Sequence, residues 1–259
     1  MNGTNSPAIL DVRDVTVRFG GIVALDRVSF QVQRGSIVGL IGPNGAGKTT
    51  LFNCLSRLYT PNEGEILFDG QSLLGVPTHR IAGLGIGRTF QDLAMFGTMT
   101  VIDNVMVGLH SRTSSGLFPN ALRLPSVTRE EAEVRNRALE AMDFLDIAPV
   151  AERMVDGLPF GTLKRVELAR ALVGRPKLIL LDEPAGGLNH EEVDVLGGLI
   201  QQIRERWEIT VLLVEHHMNL VMQVSDRVVV LDFGRHIAEG SPEQVQQNPA
   251  VIQAYLGGH

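Results

Sequence analysis

The chain has 259 residues, with 23 Lys and Arg against 29 Asp and Glu, for a formal net charge of −6. That balance argues against the basic footprint of a nucleic-acid-binding domain. A hydrophobic share of 44% against 20% charged excludes a disordered chain and supplies a core for one or two domains. The single cysteine, Cys54, excludes an internal disulfide.

In chain order, Met1 to Pro7 is polar and lacks the basic and apolar stretches of a secretion signal, so a cytoplasmic protein is expected. Ile9–Arg18 and Val23–Val32 alternate around Gly20-Gly21, and Gly64–Phe68 follows with Asp69-Gly70. This pattern predicts a small, mostly antiparallel sheet. Four short apolar runs stand apart from it: Ile37–Ile41, Leu178–Leu181, Val211–Val214 and Val228–Leu231. None nears the ~18 residues of a membrane span. Runs of this length read as strands buried on both faces of a parallel sheet. Helical stretches follow three of them, at Lys48–Leu58, Glu191–Arg206 and Met218–Val224, which predicts an α/β fold.

Between about Asp92 and Asp156 the strand signal fades. Thr100–Leu109 reads as a helix and Ser111–Ser126 as a loop. Thr128 and Glu131 form a capping box ahead of a helix whose Val134, Ala138, Met142 and Leu145 share one face. Ser241-Pro242 marks a further helix start.

Gly42-Pro43-Asn44-Gly45-Ala46-Gly47-Lys48-Thr49 matches G-x-x-x-x-G-K-[ST], between a strand and a helix. The glycines let successive amides point at a phosphate, and the helix N-terminus adds partial positive charge. Lys48 supplies a full charge for β- and γ-phosphates, and the Thr49 hydroxyl is a hard ligand for Mg²⁺. Leu178-Ile179-Leu180-Leu181-Asp182 puts a carboxylate at the end of a buried strand, where Asp182 can hold Mg²⁺ through water. Glu183 is next and points elsewhere, toward an attacking water.

Together these motifs resemble the nucleotide-binding subunit of an ABC transporter, over nearly the whole chain. The resemblance implies a P-loop parallel-sheet core with an antiparallel β subdomain over 1–91 and 166–259, and a helical subdomain over 92–165. It implies ATP and Mg²⁺ as the bound species. Gly42 to Thr49, with Thr50 after it, falls on Walker A. Leu178 to Glu183 falls on Walker B plus the catalytic glutamate. Arg88-Thr89-Phe90-Gln91 is similar to the Q-loop, which makes Gln91 a contact of Mg²⁺ and water. Leu213-Val214-Glu215-His216 is similar to the switch region, which puts the γ-phosphate contact on His216. Phe19 stands where an aromatic stacks on adenine, and Ala185–Asn189 matches the D-loop, with Asn189 where many members have Asp. The neighbouring His217 makes a metal pair thinkable, though no third ligand is evident. Trp207 and Tyr59 read as packing.

The signature motif departs from the family. Leu158-Pro159-Phe160-Gly161-Thr162 stands where LSGGQ opens a helix toward the partner's γ-phosphate. Pro159 removes a hydroxyl, Phe160 replaces the first glycine and Gly161 keeps the second. The lost hydrogen bond to phosphate is worth roughly 1.5–3 kcal/mol. The site expected to weaken is the partner's.

Arg88–Gln91, Met95–Val101, Leu122–Ser126, Glu183–Asn189 and Asn248–Gly257 resemble the branched-chain amino acid importer ATPases of the LivG type. Urea-uptake and lipopolysaccharide-export ATPases share much of the pattern, and a nucleotide-binding regulatory subunit with little turnover is a further alternative. Chromosome and repair ATPases do not fit, because the 67 positions from Gln91 to Leu158 leave no room for their coiled coil. The implied partners are a second ATPase chain, identical or paralogous, two integral membrane permease subunits, and indirectly a substrate-binding protein, with no nucleic acid. The implied location is peripheral, on the cytoplasmic face of the inner membrane.

Overall fold

Alternation at residues 9–33 resolves into two twelve-residue strands, β1 (Ala8–Phe19) and β2 (Ile22–Gln33), joined at Gly20 and paired antiparallel. The computed structural model describes residues 8–90, 93–112 and 125–256. The first apolar run is β3 (Ile37–Ile41), buried at every position, and α1 (Lys48–Leu55) leaves its end. β4 (Glu63–Phe68) and β5 (Gln71–Ser72) complete an antiparallel sheet ordered β2-β1-β4-β5.

α2 (Ile81–Leu84) leads into β6 (Ile86–Arg88). A helical stretch follows: α3 (Val101–Met106), a 3-10 segment (Val107–Arg112), α4 (Pro125–Phe144) and α5 (Phe160–Leu172). The remaining chain alternates: β7 (Leu178–Asp182), α6 (His190–Trp207), β8 (Thr210–Val214), α7 (Met218–Val224), β9 (Arg227–Asp232) and β10 (Arg235–Gly240), then α8 (Pro242–Gln246) and α9 (Pro249–Leu256). The second sheet is ordered β10-β9-β3-β8-β7-β6, parallel except for the edge strand β10.

The parallel sheet separates two cores because side chains alternate across it. Ile37 and Ile41 of β3, with Ile179, Leu181, Val211 and Leu213, pack toward α3–α7. Val38 and Leu40, with Leu178, Leu180, Leu212 and Val214, pack toward α1 and the antiparallel sheet. Each such fully buried side chain contributes ~1.5–3 kcal/mol of transfer free energy. β3, β7, β8 and β9 are thus gripped from both sides, which is why these runs carry no polar residue in their middles.

Two helix boundaries stand out from the sequence expectation. α1 stops at Leu55, not Leu58: Arg57 turns left-handed at φ +60, and its guanidinium donates to the carbonyls of Leu74 and Val76. α4 starts at Pro125, three residues before Thr128, in keeping with proline's fixed φ in a first turn. α5 opens within the 158–162 stretch, at Phe160, as the resemblance implied. Tyr59 and Trp207 do pack, edge-on to Phe19 and tilted against Phe144, each with centroids 5.3 Å apart. Among the described residues no helix is long and apolar enough to cross a membrane.

Candidate functional site

The phosphate loop hangs between β3 and α1, and its glycines are needed for space as well as conformation. A Cβ on Gly42 would lie 2.1 Å from the carbonyl oxygen of Leu231, and one on Gly47 (φ +98) 2.7 Å from that of Ala24. The loop is tied internally by Ala46 N–H donating to Pro43 O, and to the β9–β10 turn by Gly234 N–H donating to Ala46 O, both at 3.1 Å. Pro43 is half-buried, Asn44 and Gly45 are exposed, and Thr49 and Thr50 occupy the first turn of α1.

Lys48 is only 7% exposed. Its ammonium folds across the loop, donating to Gly42 O at 2.7 Å and Pro43 O at 3.0 Å. Burial lowers its pKa, and the nearby charge of Glu183 opposes that shift. A buried cation hydrogen-bonded to neutral carbonyls is well placed to attract an anion. Phe19 lies exposed at the end of β1, in the hairpin whose second strand presses Ala24 and Leu25 against Gly47.

Asp182 ends β7 and is 3% exposed. Its Oδ2 accepts from Arg88 at 2.9 Å, and its backbone N–H donates to Thr89 Oγ1 at 3.0 Å. Burial raises the Asp182 carboxyl above the usual carboxylate range, and Arg88 works against that shift. Glu183 adopts φ +47, a costly conformation for this residue type, while its N–H donates to Val214 O at 2.9 Å. The turn swings Glu183 out of line with the strand, and its Oε2 lies 3.9 Å from Nδ1 of His216.

Two groups of residues were not singled out from sequence. Arg88 is one; besides Asp182 it donates to Ser56 Oγ at 2.7 Å and Asn53 Oδ1 at 3.0 Å, joining β7 to the far end of α1. Glu215 is the other. Its side chain is wholly buried, with Oε1 accepting from Ala185 N–H and Oε2 from the N–H groups of His216 and His217. Glu215, His216 and His217 place ligand atoms within 4.8 Å of one another. Glu215 is already spent on three backbone amides, so it serves as the anchor of the His216 loop. The available signal was an acidic residue closing an apolar strand with no solvent to face.

The stretch Leu158–Thr162 shares no hydrogen bond with residues 42–50 among the described residues. Leu158 is buried, Pro159 caps α5, and the Phe160 ring covers Gly187. Gly161 sits close under the Glu192 carboxylate: a Cβ there would lie 2.6 Å from Oε1, so that side chain would have to shift. Gln91 lies outside the described residues. The structure thus brings Lys48 of the phosphate loop near Glu183, and Glu183, next after Asp182, near His216. The Thr49 hydroxyl and the Asp182 carboxylate are hard oxygen donors of the kind Mg²⁺ takes.

The model of the ABC transporter family matches residues 25–186, and that of the branched-chain amino acid ATP-binding cassette transporter matches residues 235–259. The high-affinity branched-chain amino acid transport ATP-binding protein LivG of Escherichia coli K12 is 44% identical, over 97% of this chain and 99% of its own length. BraF of Pseudomonas aeruginosa, similarly described, is 42% identical over the same shares. Among solved structures, an ATP-binding cassette of an ABC transporter in its ADP conformation superposes with TM-score 0.84 at 29% identity, covering 98% of this chain and all of that one. A dimeric cassette in a post-hydrolysis state with ADP and Pi superposes with TM-score 0.76 at 26% identity, covering 90% and 98%. With the phosphate loop, the buried Asp182 and a full-length likeness in agreement, this chain belongs to the ABC transporter family as one of its ATP-binding cassettes.

Proposed function

We propose that the chain binds and hydrolyses ATP and thereby powers uptake of branched-chain, hydrophobic amino acids through separate membrane subunits. The observation that carries this reading is the juxtaposition of Lys48 with Glu183 and His216 in a chain that matches such importer ATPases end to end. Gly42 to Thr50 wrap the phosphates and Phe19 stacks on adenine. Thr49, Asp182 and Gln91 hold Mg²⁺, which when bound screens the phosphate charge and orients the γ-phosphate. Glu183 draws a proton from the attacking water, and His216, held by the Glu215 anchor, contacts the γ-phosphate. Residues 158–162 act on the nucleotide of a partner cassette, identical or paralogous.

Residues 1–91 and 166–259 form the ATP-binding core and 92–165 the helical part, with α5 running across the seam. A groove of about 920 Å³ lies beside β6, lined by Leu58, Ile81, Phe90, Val107, Arg170 and Pro176. It is where a loop from each of two permease subunits docks, holding the chain on the cytoplasmic face of the inner membrane. A substrate-binding protein delivers the amino acid on the other side.

Reconstituted complex in vesicles tests this reading. ATP-dependent uptake of labelled leucine is expected, and Glu183→Gln is expected to abolish it while nucleotide binding persists. Nucleotide binding without turnover in the wild type would favour the regulatory alternative suggested by Pro159 and Phe160. A full loss of uptake on changing Thr162, with no effect of Glu183→Gln, would contradict the assignment of hydrolysis to this chain's own loop.

A further inference from the structure

Phe160 stands where the family has glycine, and its ring has a definite seat: a Cβ on Gly187 would approach its Cε1 to 2.7 Å. One turn along α5, the Lys164 ammonium lies 5.7 Å from the centroid of that ring and 3.9 Å from Glu167 Oε2. Glu167, 3% exposed, accepts the N–H of Phe90 on Oε1 at 2.8 Å. Spacings of four and three put Phe160, Lys164 and Glu167 on one helix face. That face joins the loop after Glu183 to the residue immediately before Gln91. A buried ion pair is costly to form and is best justified by what it positions.

We propose that Lys164 and Glu167 are positioning residues that lock the stem of the Gln91 loop, at Phe90, to the start of α5. Movement of that stem then carries Phe160 and the Gly187 loop with it. The proposal rests on the reading of the chain as a transport-coupled ATPase. It assigns to Phe160 and the helix behind it an intramolecular task beside the action of residues 158–162 on the partner's nucleotide.

The test uses the assembled transporter for kinetics and the full chain for exchange. Glu167→Ala is expected to lower kcat of transport-coupled ATP hydrolysis about tenfold with KM for ATP little changed, since misplacement alone costs rate. Glu167→Gln keeps a carbonyl that can accept from Phe90 and is expected to restore most of that loss. Amide exchange over residues 86–90, read by mass spectrometry, is expected to quicken in the alanine variant and not in the glutamine one. Wild-type kcat in Glu167→Ala, or an equal loss in both variants, overturns the proposal. If the alanine variant does not fold, Lys164→Met takes its place, and an unchanged kcat there overturns it equally. An inactive wild-type complex counts against the transport reading instead, and the exchange comparison still decides the contact.

Discussion

Lys48 and Arg88 are both buried cations, yet their removal has different expected consequences. Lys48 rests on two carbonyls, so Lys48→Ala leaves no buried counter-charge and its cost falls on the ligand. Nucleotide affinity is expected to drop at least about tenfold, read by titration with a fluorescent ATP analogue, with the urea midpoint nearly unchanged. Arg88→Ala instead strands the Asp182 carboxylate in the core and is expected to destabilise the fold by ~3–5 kcal/mol in urea unfolding. The motif residues were legible in the sequence because phosphate binding demands glycine and lysine at fixed spacings. Arg88 and Glu215 were not, because their partners lie 94 and 30 positions away, and only folding reveals what a buried charge meets.

At the scale of elements, the buried central strands were readable, and helix ends only in part: Met218–Val224 and the start at Ser241-Pro242 fall as expected, whereas the end of α1 and the start of α4 do not. A strand buried on both faces writes itself as an uninterrupted apolar run, as at Leu178–Asp182. The end of α1 is set by the reach of Arg57 to Leu74 and Val76, a tertiary contact invisible to local pattern. The start of α6 is a different case. Asn189 accepts from Glu192 N–H, and the Glu192 carboxylate accepts from Asn189 N–H, a full capping box where the family pattern suggested only a variant loop residue. Asn189→Ala is expected to cost ~1 kcal/mol, measured by thermal unfolding, and Asn189→Asp close to nothing. Had the position been chosen for ligand contact alone, stability would be indifferent to either change.

At the scale of the molecule, the two cores share one sheet, so their unfolding is expected to be joint. Cys54 reports on it: the thiol is fully buried in the core beneath the antiparallel sheet, and burial pushes its pKa up to about 11. Only the thiolate reacts, so alkylation near pH 8 is expected to be negligible in the native chain and to appear with the global urea transition. Early labelling would show that this core opens by itself. The groove beside β6 offers the complementary test. Val107→Asp, on an exposed residue of its wall, is expected to leave nucleotide binding intact and to weaken association with membrane subunits, read by co-purification.

The strand order itself has a mechanical consequence. β3, which carries the phosphate loop, sits mid-sheet with hydrogen-bonded neighbours on both sides, whereas three-residue β6 is the sheet's last strand and pairs only with β7. The sheet is therefore stiff at its centre and compliant at its rim. The phosphate loop hangs from the part that yields least, and Thr89-Phe90 leave the part that yields most. A push from outside can bend the rim without loosening the grip on ATP, which is the elasticity an engine coupled to a distant load requires.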